Sequence, residues 1–482
     1  MALVRSAAKL KEFIDAQVAR GNLDLALRLI HRVVDQVCCE PINTARIFGS
    51  KLLDNLCQEI GAIHLRRVRE SAQPQSATSQ SGNAVVYVAS RLHASGGHTA
   101  VLADMIRLGP PTRSVVLLTG TVGPTDHAAI HHRFEGIANL SFEYAPRGTH
   151  LEKLDWLQRK FLALTPETVW LFNHHQDSVA VAAVQPNAGY RLRYYHHGDH
   201  HLCLGVNLGY ADHIDLHPMG FHNCRDSLNI RDNRYLPLTV KDQGNRQAGW
   251  NHIAGTGLVT CTAAGFNKIS HPYFIRYADV VPELLRASGG RHIHIGPLGQ
   301  LTLYRIRCGL RKLGVPETSF VYIPFVRSVW QALHEHRVDL YVASFPYGGA
   351  RTMIEAMGAG VAIALHLHSA SRLLGTFDMA FEGALLWRSP QELYDHVQRM
   401  DTISLQSLGQ AARRKYEECY REEVLARALA NWEHPLPPPP LLPGYIPDEL
   451  QQALDISSQA TFGGALRRAL CRALQRLKPM RA

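Results

Sequence analysis

Phe345-Pro-Tyr-Gly-Gly-Ala-Arg-Thr-Met-Ile-Glu355-Ala-Met-Gly-Ala-Gly-Val-Ala-Ile-Ala-Leu365 is the stretch whose reading decides the fold. The apolar run before it, Val338-Asp-Leu-Tyr-Val-Ala-Ser344, predicts a buried strand. Gly348 and Gly349 relieve the steric limit on backbone angles, and helical spacing begins at about Ala350. Gly358 and Gly360 stop that helix, and Val361 to Leu365 predicts the next buried strand. Strand, glycine turn, helix start and strand is how an α/β sheet builds a phosphate pocket, because free backbone N–H groups and the positive helix end face the anion. The G-x-G-x-x-G spacing of a nicotinamide-binding turn is absent, so a phosphate site of another kind is expected.

The same texture extends on both sides. From residue 241 a polar stretch leads to Gly257-Leu-Val-Thr-Cys-Thr262, a strand, and Ala278 to Ala287, a helix. Arg291 to Ile295 and Ser319 to Ile323 predict further strands, and Pro390 to Trp432 reads as helix. Residues 84–240 repeat the alternation, with strands expected at Val85–Ser90, Ser114–Thr119, Val169–Phe172, Arg191–His196 and His213–Leu216. Each series predicts a parallel sheet covered on both faces, so the chain carries two α/β domains with a cleft between them. Residues 1–70 predict a small helical domain, and 71–83 a polar linker. Residues 433–482 begin with an extended proline-rich connector, Pro435 to Pro443. They end in a basic amphipathic helix over Ala465 to Lys478, whose Leu466, Leu470, Leu474 and Leu477 would lie on an anionic membrane or dock on the protein itself.

The totals agree with a folded chain. Its 482 residues suffice for two or three domains, and 46% hydrophobic with 19% charged residues excludes a disordered protein. A net charge of +10 suits an anionic partner such as a nucleotide, a phosphoglycan or an acidic membrane surface, and equally a generally basic exterior. Nine cysteines without a CxxC pair give neither a zinc framework nor a disulfide scaffold, so a reducing cytoplasm is the expected compartment. Met1 to Asp15 lacks the apolar core of a signal peptide, and no run approaches the ~18 apolar residues of a membrane span. A soluble or at most peripheral protein is expected, with no nucleic-acid partner.

Three constellations carry chemistry. The first is the turn itself: Gly348, Gly349, Ala350, Arg351 and Thr352 at the helix start, with Glu355 one turn in. Glu355 shares a face with Arg351, so the pair reads either as a surface ion pair or as a carboxylate for ribose hydroxyls beside loop amides for a diphosphate. The second is Ala263-Ala-Gly-Phe-Asn-Lys268-Ile-Ser-His-Pro272, at the carboxyl end of a strand where α/β proteins bind ligands. Lys268 there is either solvated or a mobile charge for a leaving diphosphate. The third is the histidine-rich pair Asn173-His-His-Gln-Asp177 and Tyr194-Tyr-His-His-Gly-Asp199-His-His201. A His beside an Asp can act as a general base, with His197 and Asp199 first and His98 behind them. The same side chains could hold a metal, but no Glu- or Cys-anchored spacing accompanies them, and none is expected.

The second domain resembles the donor domain of GT-B glycosyltransferases, most of all the group holding the O-GlcNAc transferases and the bacterial cytoplasmic N-glycosyltransferases. Gly265-Phe-Asn-Lys-Ile-Ser-His-Pro272 is similar to, though shorter than, the family loop whose lysine contacts the donor diphosphate, which puts Lys268 in that role. Phe345-Pro-Tyr-Gly-Gly-Ala-Arg-Thr-Met-Ile-Glu355 matches in frame the family's glycine loop, with Glu355 in the acidic position on the ribose. Gly349 and Arg351 replace family asparagines. Tyr322-Ile-Pro-Phe-Val-Arg327 falls where the family cradles the nucleobase and phosphates, which implies Tyr322 and Arg327 as donor contacts. The likeness covers roughly residues 255–385. A second likeness, to a retaining family with E-x7-E, fails at its first acid, where Tyr347 stands.

The resemblance implies a GT-B fold, two Rossmann-like domains facing a cleft. It also implies a metal-independent enzyme using a UDP-sugar as co-substrate, with a protein or glycan acceptor and an inverting outcome. A nucleotide-sugar epimerase or hydrolase, or a non-catalytic partner subunit, are the alternatives.

Overall fold

The computed structural model describes residues 6–71, 84–93, 97–123, 130, 133–246 and 257–441, with isolated positions between 449 and 470. The first run of strands is β1 (Ala84–Ala89), β2 (Arg113–Leu118), β3 (Leu140–Tyr144), β4 (Thr168–Phe172), β5 (Arg191–Tyr195), β6 (Asp212–Asp215) and β7 (Arg234–Tyr235). They pair in parallel in the order β3-β2-β1-β4-β5-β6-β7. The second run is β8 (Val259–Ala263), β9 (Arg291–Ile295), β10 (Phe320–Ile323), β11 (Leu340–Val342), β12 (Ala362–His366) and β13 (Leu385–Trp387), in the order β10-β9-β8-β11-β12-β13. Each order reverses beside its first strand, between β1 and β4 and between β8 and β11. The connections leave the carboxyl end of the sheet in opposite directions there, which opens a crevice for ligands.

The apolar runs are buried on both faces because their side chains alternate. In β1, Val86 and Val88 join one core, while Tyr87 and Ala89 join the other. In β4, Val169 and Leu171 separate in the same way from Trp170 and Phe172.

Helices α1 (Ala7–Ala19), α2 (Leu23–Cys39) and α3 (Lys51–Ser71) form as their amphipathic spacing predicts. They do not make a core of their own. Leu27, Ile30, Leu56 and Ile60 pack in one cluster with Val86, Val88, Val169 and Leu171 of the sheet. Gly61 permits the approach, because a Cβ there would lie 1.8 Å from the Ala182 carbonyl oxygen. Asp54 on α3 accepts from the backbone N–H groups of Gly205 and Asn207 at 2.7 and 2.9 Å. The expected separate helical domain over 1–70 is therefore corrected: these helices are one covering layer of the first sheet.

The boundary expected at 432 changes too. The Thr402–Cys419 helix packs on the second domain, and the chain then crosses back. Val240 N donates to the Tyr420 carbonyl at 3.0 Å, and Tyr416 Oη donates to the Val240 carbonyl at 2.8 Å. The Glu422–Ala430 helix lies against α4 (Gly97–Leu108) of the first domain. Trp432 follows, with the Arg193 guanidinium 3.5 Å from its ring centre and its indole N–H on Asp212 at 3.1 Å. The extended segment after it is held by His222, whose Nε2 donates to the Pro439 carbonyl at 2.8 Å. Of the expected C-terminal helix only Leu466 and Leu470 are described, both exposed, and the rest lies outside the described residues. No helix among the described residues is long and apolar enough to cross a membrane.

Candidate active site

On the donor side, the expected glycine turn and helix form where the sequence puts them, with the helix running Ala350–Gly358. The Phe345–Pro346 peptide ahead of the turn is cis. Gly348 is pressed against the 375–376 backbone: a Cβ would stand 2.5 Å from Thr376 Oγ1. Its amide donates to the Leu374 carbonyl at 2.6 Å, so it is not free for an anion. The N-cap of the helix is Gly349, and no side chain caps it. The amides of Ala350, Arg351 and Thr352 form that first turn and are the donors an anion would meet. Thr352 Oγ1 donates to the Gly349 carbonyl at 2.9 Å and accepts from Tyr341 Oη at 3.0 Å, so it braces the turn.

Lys268 sits on the short Phe266–Ile269 helix after β8 and donates from Nζ to the Gly348 carbonyl. The two strand ends that flank the switch point are thereby joined. Burial pulls the Lys268 ammonium down to about 8, against the charge of Asp199, which favours the protonated form. Asp199 belongs to the first domain, so the two act on one another across the cleft.

Other expected donor contacts are engaged elsewhere. Arg351 does not pair with Glu355; its guanidinium reaches Asp104 Oδ2 on α4 at 2.8 Å and the Thr239 carbonyl at 3.0 Å. Glu355 accepts from Trp330 N at 3.0 Å, at the start of the Val329–Glu335 helix. Burial raises its carboxyl, with Arg351 and the Trp330 amide acting the other way. Tyr322 accepts from Leu298 N at 3.2 Å and is half-buried, while Arg327 and Phe325 stand exposed in the loop beyond it. The sequence reading passed over Tyr347 and His271, which meet behind the turn with Tyr347 Oη 2.6 Å from His271 Nε2. Only the position of His271, three residues past Lys268, hinted at this.

On the acceptor side, three imidazoles converge at the β1/β4 switch point: His98, His174 and His197. Their ring centres are 4.9 Å apart for His98–His174 and 4.3 Å for His98–His197. His98 Nε2 lies 3.1 Å from the Phe172 carbonyl and must donate to it, since a carbonyl only accepts. His98 Nδ1 is then a lone pair, buried and without a hydrogen-bond partner. Burial, then the neighbouring imidazoles His197 and His174, hold His98 neutral well below the usual histidine range. Burial also lowers His197 to about 3 and His174 to about 4.

The expected His197–Asp199 dyad is not formed. Asp199 pairs instead with His200 Nδ1 at 3.0 Å and faces His217 Nε2 at 3.8 Å. Burial opposes its charge, but His217 and His200 outweigh it and keep the carboxyl ionised. Asp177, the other acid of the histidine-rich pair, caps the Ser178–Ala183 helix and accepts from Thr119 at 2.6 Å. Asp378, which sequence reasoning missed, reaches across from the second domain to accept from Met219 N at 2.9 Å.

No protein-family model and no curated protein sequence matches the chain. Solved structures do. A structure of Anabaena Alr3699/HepE in complex with UDP and glucose is 13% identical, covering 73% of this chain and 99% of that one, with a TM-score of 0.54. A glycosyltransferase from Rickettsia africae is 10% identical over 73% of this chain and 97% of its own, with a TM-score of 0.55. The lipopolysaccharide outer core galactosyltransferase WaaB is 13% identical over 72% and 98%, with a TM-score of 0.51. The two parallel sheets with their facing carboxyl ends are thus the GT-B fold of these glycosyltransferases, as the sequence resemblance implied.

Proposed function

We propose that the chain is a glycosyltransferase that moves a sugar from a nucleotide diphosphate sugar, a UDP-sugar, to a protein or glycan acceptor. One observation carries the reading: Lys268 bonds the glycine turn beside the uncapped Ala350 helix and interacts with Asp199 of the other domain. A cation and a helix N-terminus together match a diphosphate. The UDP in the HepE structure, which has the same fold, supports uracil as the base.

In the proposed reaction His98 Nδ1 takes the proton of the acceptor nucleophile, which attacks the anomeric carbon. The bond from that carbon to the diphosphate oxygen breaks as the new one forms, so one displacement inverts the centre. Negative charge gathers on the departing diphosphate, where Lys268 and the amides of Ala350, Arg351 and Thr352 stabilise it. The lysine supplies the charge that a metal provides elsewhere, so transfer is proposed to be metal-independent. His98 is assigned the base role over His197 because its Nε2 is anchored on the Phe172 carbonyl, which leaves Nδ1 as an unpartnered lone pair.

A thermal-shift panel of nucleotides and nucleotide sugars tests the donor. A UDP-sugar at a hundredfold excess over Kd stabilises by about 2.7 kcal/mol. Lys268→Ala is expected to lose that shift and about a hundredfold or more in turnover while keeping the fold. Near-wild-type transfer by this variant would overturn the mechanism. Acceptor-independent release of UDP and free sugar would indicate a hydrolase, and UDP binding without turnover a non-catalytic partner subunit.

A further inference from the structure

Four chemically soft or anionic side chains meet in the first domain, away from the proposed donor site: His196, His213, Asp215 and Cys224. All are buried, at 0% exposure for His196, Asp215 and Cys224 and 4% for His213. Local structure explains how they meet. His213 and Asp215 stand two apart on β6 and so point to one face. His196 is the first residue beyond β5, and its amide continues the ladder to the Ile214 carbonyl at 2.9 Å, which sets it alongside Asp215. Cys224 enters from the Pro218–Asp226 helix above.

The distances bring all four side chains close enough to share one cation. Asp215 Oδ1 is 3.2 Å from His196 Nδ1, 3.3 Å from His213 Nε2 and 3.2 Å from Cys224 Sγ, and Cys224 Sγ is 3.3 Å from His196 Nδ1. All the donor atoms lie within 4.8 Å of one another. Charge-assisted N–H···O bonds to a carboxylate settle at about 2.7–2.9 Å, shorter than either histidine contact here. By contrast, a tetrahedron with zinc–nitrogen and zinc–oxygen bonds of about 2.0–2.1 Å and a zinc–sulfur bond of about 2.3 Å has edges of about 3.3–3.6 Å. The other oxygen, Asp215 Oδ2, takes an ordinary bond of 2.7 Å from Asn233 Nδ2, which orients the carboxylate as outer partners of metal ligands do.

We propose that His196, His213, Asp215 and Cys224 form a structural zinc site that fixes the carboxyl ends of β5 and β6 and the helix above them. Thiolate, imidazole and carboxylate ligands in a closed four-coordinate set select zinc over magnesium, calcium or manganese. Two anionic ligands cancel the charge of one divalent cation, so the buried assembly is neutral overall. On binding, Cys224 releases its thiol proton to solvent and forms the sulfur–zinc bond, with no change of oxidation state. The site would hold in place the loop that starts at His196 and carries His197 and Asp199. The proposal does not depend on which reaction the cleft performs.

The test uses the full chain without a histidine tag, purified from zinc-supplemented cells and desalted. Elemental analysis is expected to give about one zinc per chain, and X-ray absorption of that zinc one sulfur and three nitrogen or oxygen neighbours. After exchange to cobalt, the wild type should show a thiolate-to-cobalt charge-transfer band that Cys224→Ser loses. Zinc well below stoichiometric with a melting temperature indifferent to added zinc, a zinc shell lacking sulfur, or a band that survives in Cys224→Ser each overturns the proposal. The X-ray absorption reading needs no variant, so it decides the matter even where Cys224→Ser fails to fold.

Discussion

Arg351 donates to Asp104 Oδ2 at 2.8 Å, linking the helix that follows the glycine turn to α4, the helix that begins beside His98. Arg107 donates both to Asp104 at 2.7 Å and to Glu422 on the crossing helix at 2.5 Å. One charge chain thus runs from the donor turn through the first domain to the C-terminal strap. The Arg351 and Asp104 side chains are only 21% and 9% exposed, so solvent screens the pair little. Arg351→Ala and Asp104→Ala should therefore be non-additive, with a coupling energy of about 0.5–3 kcal/mol in a double-mutant cycle read by urea unfolding. Because the guanidinium points to the other domain, Arg351→Ala should leave UDP affinity near wild type. Additive stabilities, or a large loss of UDP affinity, would return Arg351 to the donor-contact role.

Lys268 gives the site an alkaline limit. Burial lowers its ammonium to about 8, so in the free enzyme its charge is present below that pH and lost above it. In the proposed reaction the diphosphate needs the charged form, hence kcat/KM for the UDP-sugar is expected to fall as pH rises through about 8. Lys268→Arg keeps its charge throughout this range and should abolish the alkaline limb, at lower overall rate because the planar head does not fit a point-charge position. A limb that persists unchanged in Lys268→Arg would assign it to another group.

Much of this architecture was legible in the chain because buried parallel strands are continuous apolar runs. Those at Val85, Val169, Arg291 and Val361 lie within a residue of the observed strands. Strands β3, β7 and β13 escaped notice because they are short sheet edges: β3 and β7 include polar residues, and β13 is only the three residues Leu385–Trp387. The glycine turn and Lys268 could be paired from topology alone, since both follow strands beside one switch point. Side-chain partners were beyond reach: Arg351 and Asp104 are 247 positions apart, and local spacing offered Glu355 instead. Of the proposed zinc ligands only His196 stood in the histidine-rich pair, and the other three hid for the same reason. Only His213 and Asp215 are neighbours in sequence, and Cys224 reaches them through the turn of a helix.

Glu355 illustrates a carboxylate with a structural task. Its Oε2 accepts from Trp330 N at 3.0 Å and so serves as a cap supplied by another helix. Glu355→Ala should cost about 1–2 kcal/mol of stability, whereas Glu355→Gln keeps an acceptor and should cost less. Were the carboxylate also bound to the ribose, removing its charge would weaken UDP by about 1.5–3 kcal/mol, tenfold or more. The expectation here is a smaller change, measured by calorimetry on the Gln variant.

The second sheet should make the protein sensitive to acid. His292 and His294 on β9 and His366 on β12 are buried with both ring nitrogens occupied. Thr260 Oγ1 lies 2.8 Å from His292 Nδ1, and Tyr277 Oη lies 2.8 Å from both His292 Nε2 and His294 Nδ1. His294 Nε2 donates to the Ala264 carbonyl at 3.1 Å, and His366 donates from Nδ1 to the Trp387 carbonyl at 3.2 Å while accepting from Tyr273 at 2.8 Å. A second ring proton would displace a hydroxyl donor in each case. Burial accordingly lowers His292 and His366 to about 3 and His294 to about 4. Unfolded histidines titrate near 6.5, so between that pH and about 4 the unfolded state binds more protons and stability falls as pH falls. Each contributes about 1.4 kcal/mol per pH unit, roughly 4 kcal/mol per unit for the three. Urea unfolding at a series of pH values reads the slope directly, and His366→Gln should reduce it by about one proton's worth. A slope below that of a single proton near pH 5 would mean these imidazoles are already charged in the folded protein.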